Sequence, residues 1–254
     1  SSSVCTSKNK VNDTCTLKPE EIRPTQFVLG ITEVQCRIQN LQSKTEKKQR
    51  EYIEERVVPL VKALDPNDQS KTVFYQIDRH HLSRLVFDAD IDKSLKVLSC
   101  VIVDDLTNVD PEVFFPTLLE KGYAYTYSSQ GRQMPPQLLP HHIQMLQDDP
   151  YRSLAYWVRK LGGFEKKTTP YQEFFWSNFL RSRITPIRQA SKKIEGIQYN
   201  YCELQPYDPL CFPNQYEWIM NNVNKAVVIA RSSQAASLPG YGQGTIDPPT
   251  CHLA

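Results

Sequence analysis

KTVFYQIDRHHLSRLVF, residues 71–87, is the stretch that decides the fold, because it changes from a strand pattern to a helix pattern without a break. Its first half is short, apolar and rich in β-branched and aromatic residues, which predicts a buried strand. Its second half has apolar residues at helical spacing. Asp78, Arg79 and His80 therefore lie at a predicted strand-to-helix corner.

Such a corner is suited to binding an anion. The first backbone N–H groups of a helix have no partner within the helix, and the helix dipole favours negative charge there. Arg79 and His80 add donors, and Asp78 could orient a ring nitrogen or hold a metal ion beside a phosphate. A simpler interpretation is that Asp78 only caps the helix and that His80 and His81 are partly buried helix residues. The residues alone leave both interpretations open.

The rest of the chain alternates between short apolar tracts and helical patterns. LKVLSCVIV (95–103) and YAYTY (123–127) are typical of strands. Helical spacing extends over five further segments: residues 25–43, 46–64, 110–122, 148–163 and 214–233.

One more helix is predicted in TTPYQEFFWSNFLRSRI, residues 168–184, from its capping signals. Thr169 is the expected N-cap, Pro170 the first helical residue, and Gln172 closes a capping box. In the segment 148–163, Asp149 before Pro150 is the expected N-cap in the same way.

The overall composition points to a single globular body. The chain has 254 residues and a formal net charge of +2, so contact with nucleic acid would need a local basic patch. No window reaches the roughly 18 apolar residues that a membrane span requires. Residues 1–18 are expected to form an extended leader pinned by a disulfide, and residues 191–254 a C-terminal helix with a cysteine-containing tail.

The seven cysteines indicate an oxidising compartment, secreted or periplasmic. Five of them lie in loop-like sequence, where a disulfide would hold segments that otherwise fray: Cys5, Cys15, Cys202, Cys211 and Cys251. Cys36 and Cys100 fall in apolar stretches and are expected to be small buried thiols. The spacing does not fix which cysteines pair.

Several blocks together resemble the ParB-like nuclease family, a branch of the ParB/sulfiredoxin superfamily: PTQFVLGITEV, QIDRHHLSRLV, GYAY, DDPYRSLAYWVRKLGG and FFWSNFLR. The resemblance covers roughly residues 19–190. It implies an α+β fold with a small mixed sheet and a mostly helical elaboration. It also implies a nucleotide- or phosphate-binding corner, and it nominates Asp78, His80 and His81 as catalytic residues.

Departures from the wider superfamily narrow this expectation. Sulfiredoxins carry a Cys before a His-Arg pair, and none stands here, which argues against sulfinic-acid repair. The free-serine kinases of the superfamily resemble DGHHR at this corner, where this chain has Arg79 for the Gly and Leu82 for the Arg. The loss of that guanidinium argues against tight triphosphate binding. The Arg-rich CTP motif and helix-turn-helix of partition proteins are not evident.

Tyr151 and Arg152 lie on the first turn of the helix after Asp149, and they are candidate phosphate-binding residues. Equally, Arg152 could pair with Asp148, Glu165 or Glu173 and only stabilise the fold.

Three functions fit these observations. The first is a hydrolase for phosphate esters, resembling a nuclease or phosphodiesterase and acting on a nucleotide or single-stranded nucleic acid. In it His80 is the general acid or base, and His81 or Asp78 orients it or holds a divalent metal of unidentified kind. Arg79 or Arg152 stabilises the negative charge that develops. The second is a nucleotide-dependent small-molecule kinase. The third is a secreted binding protein without catalysis. The sequence does not fix the oligomeric state.

Overall fold

The computed structural model describes residues 2–190, 192–199 and 211–253. The described residues fall into two compact units. Unit 1 comprises residues 1–27, 37–128 and 132–146, and unit 2 comprises residues 28–36, 129–131 and 147–254. The predicted three-part division at residues 18 and 190 remains a prediction.

The fold is α+β, as expected from the sequence. The strands are β1 (Thr14–Leu17), β2 (Val28–Leu29), β3 (Val58–Asp65), β4 (Asp68–Gln76), β5 (Leu98–Asp105), β6 (Gln147–Asp148), β7 (Lys192–Ile194) and β8 (Ile197–Tyr199). The helices are α1 (Ile31–Gln42), α2 (Glu46–Glu54), α3 (His80–Asp88), α4 (Phe114–Glu120), α5 (Pro150–Lys160), α6 (Gln172–Arg181) and α7 (Gln215–Arg231).

Unit 1 is built on a four-stranded mixed sheet with the order β1-β5-β3-β4. β3 is parallel to β5 and antiparallel to β4, and β1 is antiparallel to β5. Residues 23–25 extend this sheet beside β4, because Arg23 donates to Phe74 O at 2.8 Å and accepts from Gln76 N at 2.9 Å. The apolar core on this sheet includes Val61, Tyr75 and Phe114.

Unit 2 is organised by its helices. Its core gathers apolar side chains of α5, α6 and α7, with Trp176 stacked on Phe164 at a ring-centroid distance of 4.3 Å. β2 and β6 form a two-stranded parallel pair, and β7 and β8 an antiparallel hairpin. In the described part of the chain, no helix has both the length and the apolar character needed to cross a membrane.

The second predicted helix was wrong in its C-terminal half. Residues 46–54 form α2, with Thr45 as its N-cap, but the helix ends there and residues 58–65 form β3. The residues VVPLV (57–61) satisfy a helical spacing, but the three valines are β-branched and the proline disfavours a helix interior. Pairing with both β4 and β5 decides between the two, since β3 is an inner strand of the sheet.

The predicted start of α6 also needs correction. α6 begins at Gln172 with Tyr171 as its N-cap, so Thr169 and Gln172 form no capping box. Gln172 instead accepts from Lys167 N at 2.9 Å and donates to Glu165 O and to Pro239 O at 2.7 and 2.9 Å. The side-chain amide therefore holds two loops rather than the first turn of the helix.

Disulfides link Cys5 to Cys15 in unit 1 and Cys36 to Cys251 in unit 2. The first lies within residues 1–18, whose status as a separate leader remains a prediction, whereas the second shows that the free thiol expected at Cys36 was wrong. Cys36 is fully buried, and apolar burial is equally typical of a thiol and of a disulfide. Among the described cysteines Cys100 is the free one, and it is buried as predicted.

Candidate functional site

The chain passes from β4 into α3 through a sharp turn in unit 1. Ile77 N donates to Pro59 O at 3.1 Å, which extends the β3–β4 pairing by one residue. Arg79 then adopts a left-handed conformation with φ 65°, and α3 begins at the next residue. The Asp78 carboxylate accepts the Arg79 N–H through Oδ1 at 2.7 Å. The predicted strand-to-helix corner is therefore present, with Arg79 rather than Asp78 at the N-cap position.

The side chain of Gln76 holds this turn from inside. Its Nε2 donates to Asp78 O at 2.9 Å and to Ser83 Oγ at 2.8 Å. Gln76 is 1% exposed and Ser83 fully buried, so these bonds form away from competing water. The turn is thus tied both to the end of β4 and to the first turn of α3.

His80 is directed into the protein. Its side chain is buried, and its Nε2 accepts the backbone N–H of Thr25 at 3.0 Å. Thr25 Oγ1 donates to Gln76 O at 2.7 Å and lies 3.4 Å from the same ring nitrogen. His80 therefore joins the first residue of α3 to the extra sheet segment 23–25.

Burial lowers the pKa of His80 to about 3 from an ordinary value of 6.5. The imidazole is consequently neutral near pH 7. Because Nε2 accepts a hydrogen bond, the ring proton of this neutral form is on Nδ1. A neutral acceptor engaged with a backbone N–H can position the corner, and it has no proton to give from Nε2.

Asp78 and Arg79 are the exposed members of the corner. Within the described chain, the Arg79 guanidinium has no hydrogen-bond or ion-pair partner, and the second carboxylate oxygen of Asp78 has none either. The first N–H groups of α3 lie beside them and favour negative charge. This arrangement can receive a phosphate, with a carboxylate next to it. His81, the other nominated residue, is buried in the same helical turn.

Tyr151 and Arg152 lie on α5 in unit 2, where both are buried. The Tyr151 hydroxyl donates to Ile184 O at 3.4 Å, and Arg152 Nη1 donates to Glu33 Oε2 at 3.0 Å. The Arg152 guanidinium also lies 5.3 Å from the centre of the Phe174 ring. The role of Tyr151 and Arg152 in a phosphate site remains a prediction. The contacts of these two side chains with Ile184, Glu33 and Phe174 stabilise unit 2.

Arg152 belongs to a larger charged group in unit 2. Burial alone would raise the pKa of Glu173, but the charges of Arg152, Lys166 and Arg159 outweigh it and lower that pKa to about 2. Lys166 Nζ lies 2.7 Å and Arg159 Nε 3.3 Å from Glu173 Oε1. Glu173 is therefore ionised near pH 7.

The two aspartates before α5 have separate structural tasks. Asp149 caps α5 by accepting from Tyr151 N at 3.0 Å, as predicted, and also pairs with both terminal nitrogens of Arg181. Asp148 accepts from Ile31 N at 3.0 Å, at the start of α1, and from Gln215 Nε2 at 2.6 Å. The DDPYRS block is thus explained by capping and packing within unit 2.

Gly30 explains why the VLGITE block accompanies DDPYRS. A Cβ atom at Gly30 would lie 2.7 Å from Ser153 Oγ and 2.8 Å from Ser153 N, so only glycine allows this approach. Ser153 Oγ in turn accepts from Glu33 N at 3.1 Å. The first turns of α1 and α5 therefore interlock through these three residues.

The sequence did not identify Thr25, the hydrogen-bond partner of His80, or Glu33, the ion-pair partner of Arg152. Each partner lies far along the chain, 55 residues from His80 and 119 residues from Arg152. The available signal was that each stands inside or beside the family-like block PTQFVLGITEV. Among the described residues, no three or more His, Cys, Asp or Glu side chains cluster as a metal site would require.

The comparisons with known proteins agree with this fold. The chain belongs to the family described as "Putative ParB-like nuclease", which matches residues 15–182, more than half of the 254 residues. Both the Asp78–His81 corner and Tyr151–Arg152 lie within the matched range. No curated protein matches the sequence.

A solved structure resembles most of the chain. It is described as the crystal structure of protein Atu1540 from Agrobacterium tumefaciens. The two are 23% identical, with a TM-score of 0.69 over 92% of this chain and 97% of the other. At this identity the likeness shows the fold alone.

Proposed function

We propose that this protein hydrolyses phosphodiester bonds in single-stranded nucleic acid at the corner between β4 and α3. Membership of the ParB-like nuclease family supports a nuclease-like role. One observation carries the proposal: Arg79 combines a left-handed backbone with an exposed guanidinium that has no hydrogen-bond or ion-pair partner in the described chain.

The backbone of Arg79 is the reason to assign it a function. A left-handed conformation costs an L-residue about 1–2 kcal/mol, and glycine would avoid this cost. Strained residues of this kind concentrate at functional sites, where the side chain offsets the strain. An arginine directed to solvent adds no contact that would stabilise the fold, so binding of an anionic ligand is the simplest role for it.

The roles in the reaction follow from exposure. The phosphate would be bound by the first N–H groups of α3 and by the Arg79 guanidinium, which stabilises the charge that develops on the phosphoryl oxygens. As the oxygen of the attacking water bonds to phosphorus, Asp78 would accept a proton of that water through its second oxygen. The P–O bond to the leaving oxygen breaks in the same reaction, and the leaving oxygen takes a proton from solvent water. His80 would be a positioning residue, because its Nε2 already accepts from Thr25 N.

The proposal is tested by hydrolysis of single-stranded DNA and RNA oligonucleotides, with Mg²⁺ or Mn²⁺ and with chelator. Asp78→Asn should lower kcat by at least about 100-fold, as expected for loss of a general base. Arg79→Gly should lower kcat/KM by about 10- to 100-fold, the equivalent of one charge-assisted hydrogen bond. Asp90→Asn and Arg50→Ala change an exposed carboxylate and an exposed guanidinium elsewhere in unit 1 and should leave the rates unchanged.

Equal activity in Asp78→Asn and the wild type would reject the hydrolytic role. If the wild type binds the oligonucleotide without turnover and Arg79→Gly abolishes that binding, the corner is a binding site and the protein is not a nuclease.

We also propose that the protein works in an oxidising compartment, secreted or periplasmic. The disulfides Cys5–Cys15 and Cys36–Cys251 support this, because thiols are kept reduced in the cytosol. Fractionation of the producing cells, followed by thiol alkylation before and after reduction, tests the location and the disulfides together.

A further inference from the structure

We propose that Asn12 is an acceptor for N-linked oligosaccharide. Asn12, Asp13 and Thr14 match the acceptor pattern of Asn, any residue except Pro, and Ser or Thr. No other Asn of the sequence is followed two positions later by Ser or Thr. The inference concerns a site outside the β4–α3 corner, and it rests on passage through an oxidising, eukaryotic secretory compartment.

The fold presents Asn12 at a surface turn. Its backbone is left-handed, with φ 73°, and its N–H donates to Ile102 O at 2.7 Å. Both Asn12 and Thr14 are exposed, and neither the Asn12 amide nor the Thr14 hydroxyl has a partner among the described residues. The backbone of the turn is thus fixed to β5 while the acceptor amide stays accessible.

The neighbouring residues keep the turn in place without engaging the acceptor. The Asp13 carboxylate accepts from Lys10 N at 2.7 Å. Burial begins only at Cys15, whose disulfide with Cys5 closes the loop that contains the whole motif. An oligosaccharide on Asn12 would therefore displace no buried side chain and would break no hydrogen bond of this loop.

The transfer itself is a substitution at a sugar carbon. The Asn12 amide nitrogen forms a bond to C1 of an oligosaccharide carried on a lipid diphosphate, the C1–O bond to the phosphate breaks, and the lipid diphosphate leaves. The amide nitrogen gives up one proton in the same reaction. The transferring enzyme requires the Thr14 hydroxyl for recognition of the acceptor. The backbone pairing of Thr14 with Val101 of β5 forms only when the chain folds.

The experiment is expression of the full chain behind a secretion signal in a eukaryotic cell, with intact-mass analysis before and after peptide N-glycosidase. Both the medium and the whole-cell fraction are analysed, so that retention in the cell does not hide a modified chain. The expected result is an added mass that the enzyme removes and that leaves Asp at position 12. The half-buried Asn9 of the same loop should stay unchanged.

Three variants separate recognition from folding. Asn12→Gly keeps the left-handed turn without strain and removes the acceptor. Thr14→Val keeps a β-branched residue at the start of β1 and removes the hydroxyl. Both should lose the added mass, and Thr14→Ser should keep it. An unmodified wild type in both fractions, or an added mass that survives in Asn12→Gly, overturns the proposal.

Discussion

The backbone N–H of Thr25 donates to Nε2 of His80 at 3.0 Å, and this bond joins the segment beside β4 to the first residue of α3. Thr25 also accepts from Tyr125 N at 2.9 Å, so His80 helps to hold the added edge of the unit 1 sheet. The side chain that the sequence nominated for proton transfer is thereby engaged in positioning the corner.

Loss of the acceptor at position 80 should destabilise the protein. His80→Leu leaves the buried Thr25 N–H without a partner, which costs about 1–3 kcal/mol, whereas His80→Gln retains an acceptor oxygen and should cost less. Urea unfolding followed by circular dichroism measures both free energies. Equal losses in the two variants would show that the bond to Thr25 does not contribute.

The stability of the protein should fall between pH 7 and pH 5 because of His80. Burial lowers the folded pKa of His80 to about 3, while the unfolded value is about 6.5, so the unfolded state binds a proton that the folded state does not. Stability is therefore lost as pH falls below about 6.5, by about 2 kcal/mol at pH 5 for this group alone.

The measurement is urea unfolding of the wild type and His80→Gln at pH 7, 6 and 5. The difference between them removes the groups common to both, including His141, whose pKa is lowered by burial and by the nearby charge of Arg23. Glu173 loses its contribution only below about pH 4.5, outside this range. If the free energy of unfolding changes with pH in the same way in the wild type and in His80→Gln, His80 is not a buried neutral group.

How far the sequence predicted the fold depended on whether local signals agreed. β4, α3 and α5 combine periodicity with caps or breakers, and each appears where expected. β3 does not, because the helical spacing around Val58 and Leu60 competes with β-branching. Only the pairing of β3 with strands on both sides resolves this ambiguity.

The candidate site shows the same limit. Sequence spacing placed Asp78, Arg79 and His80 at a strand-to-helix corner, since a strand followed directly by a helix must turn there. It could not show that His80 is directed inwards, because Thr25 lies 55 residues earlier. Nor could it choose Glu33 over Glu173 as the direct partner of Arg152, since that depends on how α1 and α5 approach each other at Gly30.

Removal of the Arg152 charge should be strongly destabilising. Arg152→Met removes the ion-pair partner that Arg152 provides to Glu33 in the interior of unit 2, which costs about 3–5 kcal/mol. The double variant Arg152→Met with Glu33→Gln should be less unstable than the sum of the single variants, because it removes both members of the ion pair. Thermal unfolding and urea unfolding of the wild type, the two single variants and the double variant measure the coupling free energy between Arg152 and Glu33.

Lys166→Ala is the matched control for this experiment. Lys166 also contacts Glu173, but its side chain is 57% exposed, so its loss should cost no more than about 1 kcal/mol. If Lys166→Ala and Arg152→Met prove equally destabilising, burial is not what gives the Glu33–Arg152 pair its importance.

Arg79→Gly should make the protein more stable while it weakens the proposed phosphate site. Arg79 has φ 65°, and its guanidinium has no hydrogen-bond or ion-pair partner in the described chain, so glycine would relieve the left-handed strain of about 1–2 kcal/mol. Part of this gain is offset by the greater freedom of glycine in the unfolded state, which leaves about 0.5–1 kcal/mol.

Arg79→Ala is the control that separates the effect of the backbone from that of the side chain, because it removes the guanidinium and keeps the left-handed strain. Urea unfolding should therefore rank Arg79→Gly above both Arg79→Ala and the wild type, whereas both variants should bind the oligonucleotide about 10- to 100-fold more weakly. If Arg79→Ala is as stable as Arg79→Gly, the backbone at residue 79 carries no strain, and the reason for assigning a function to its guanidinium is lost.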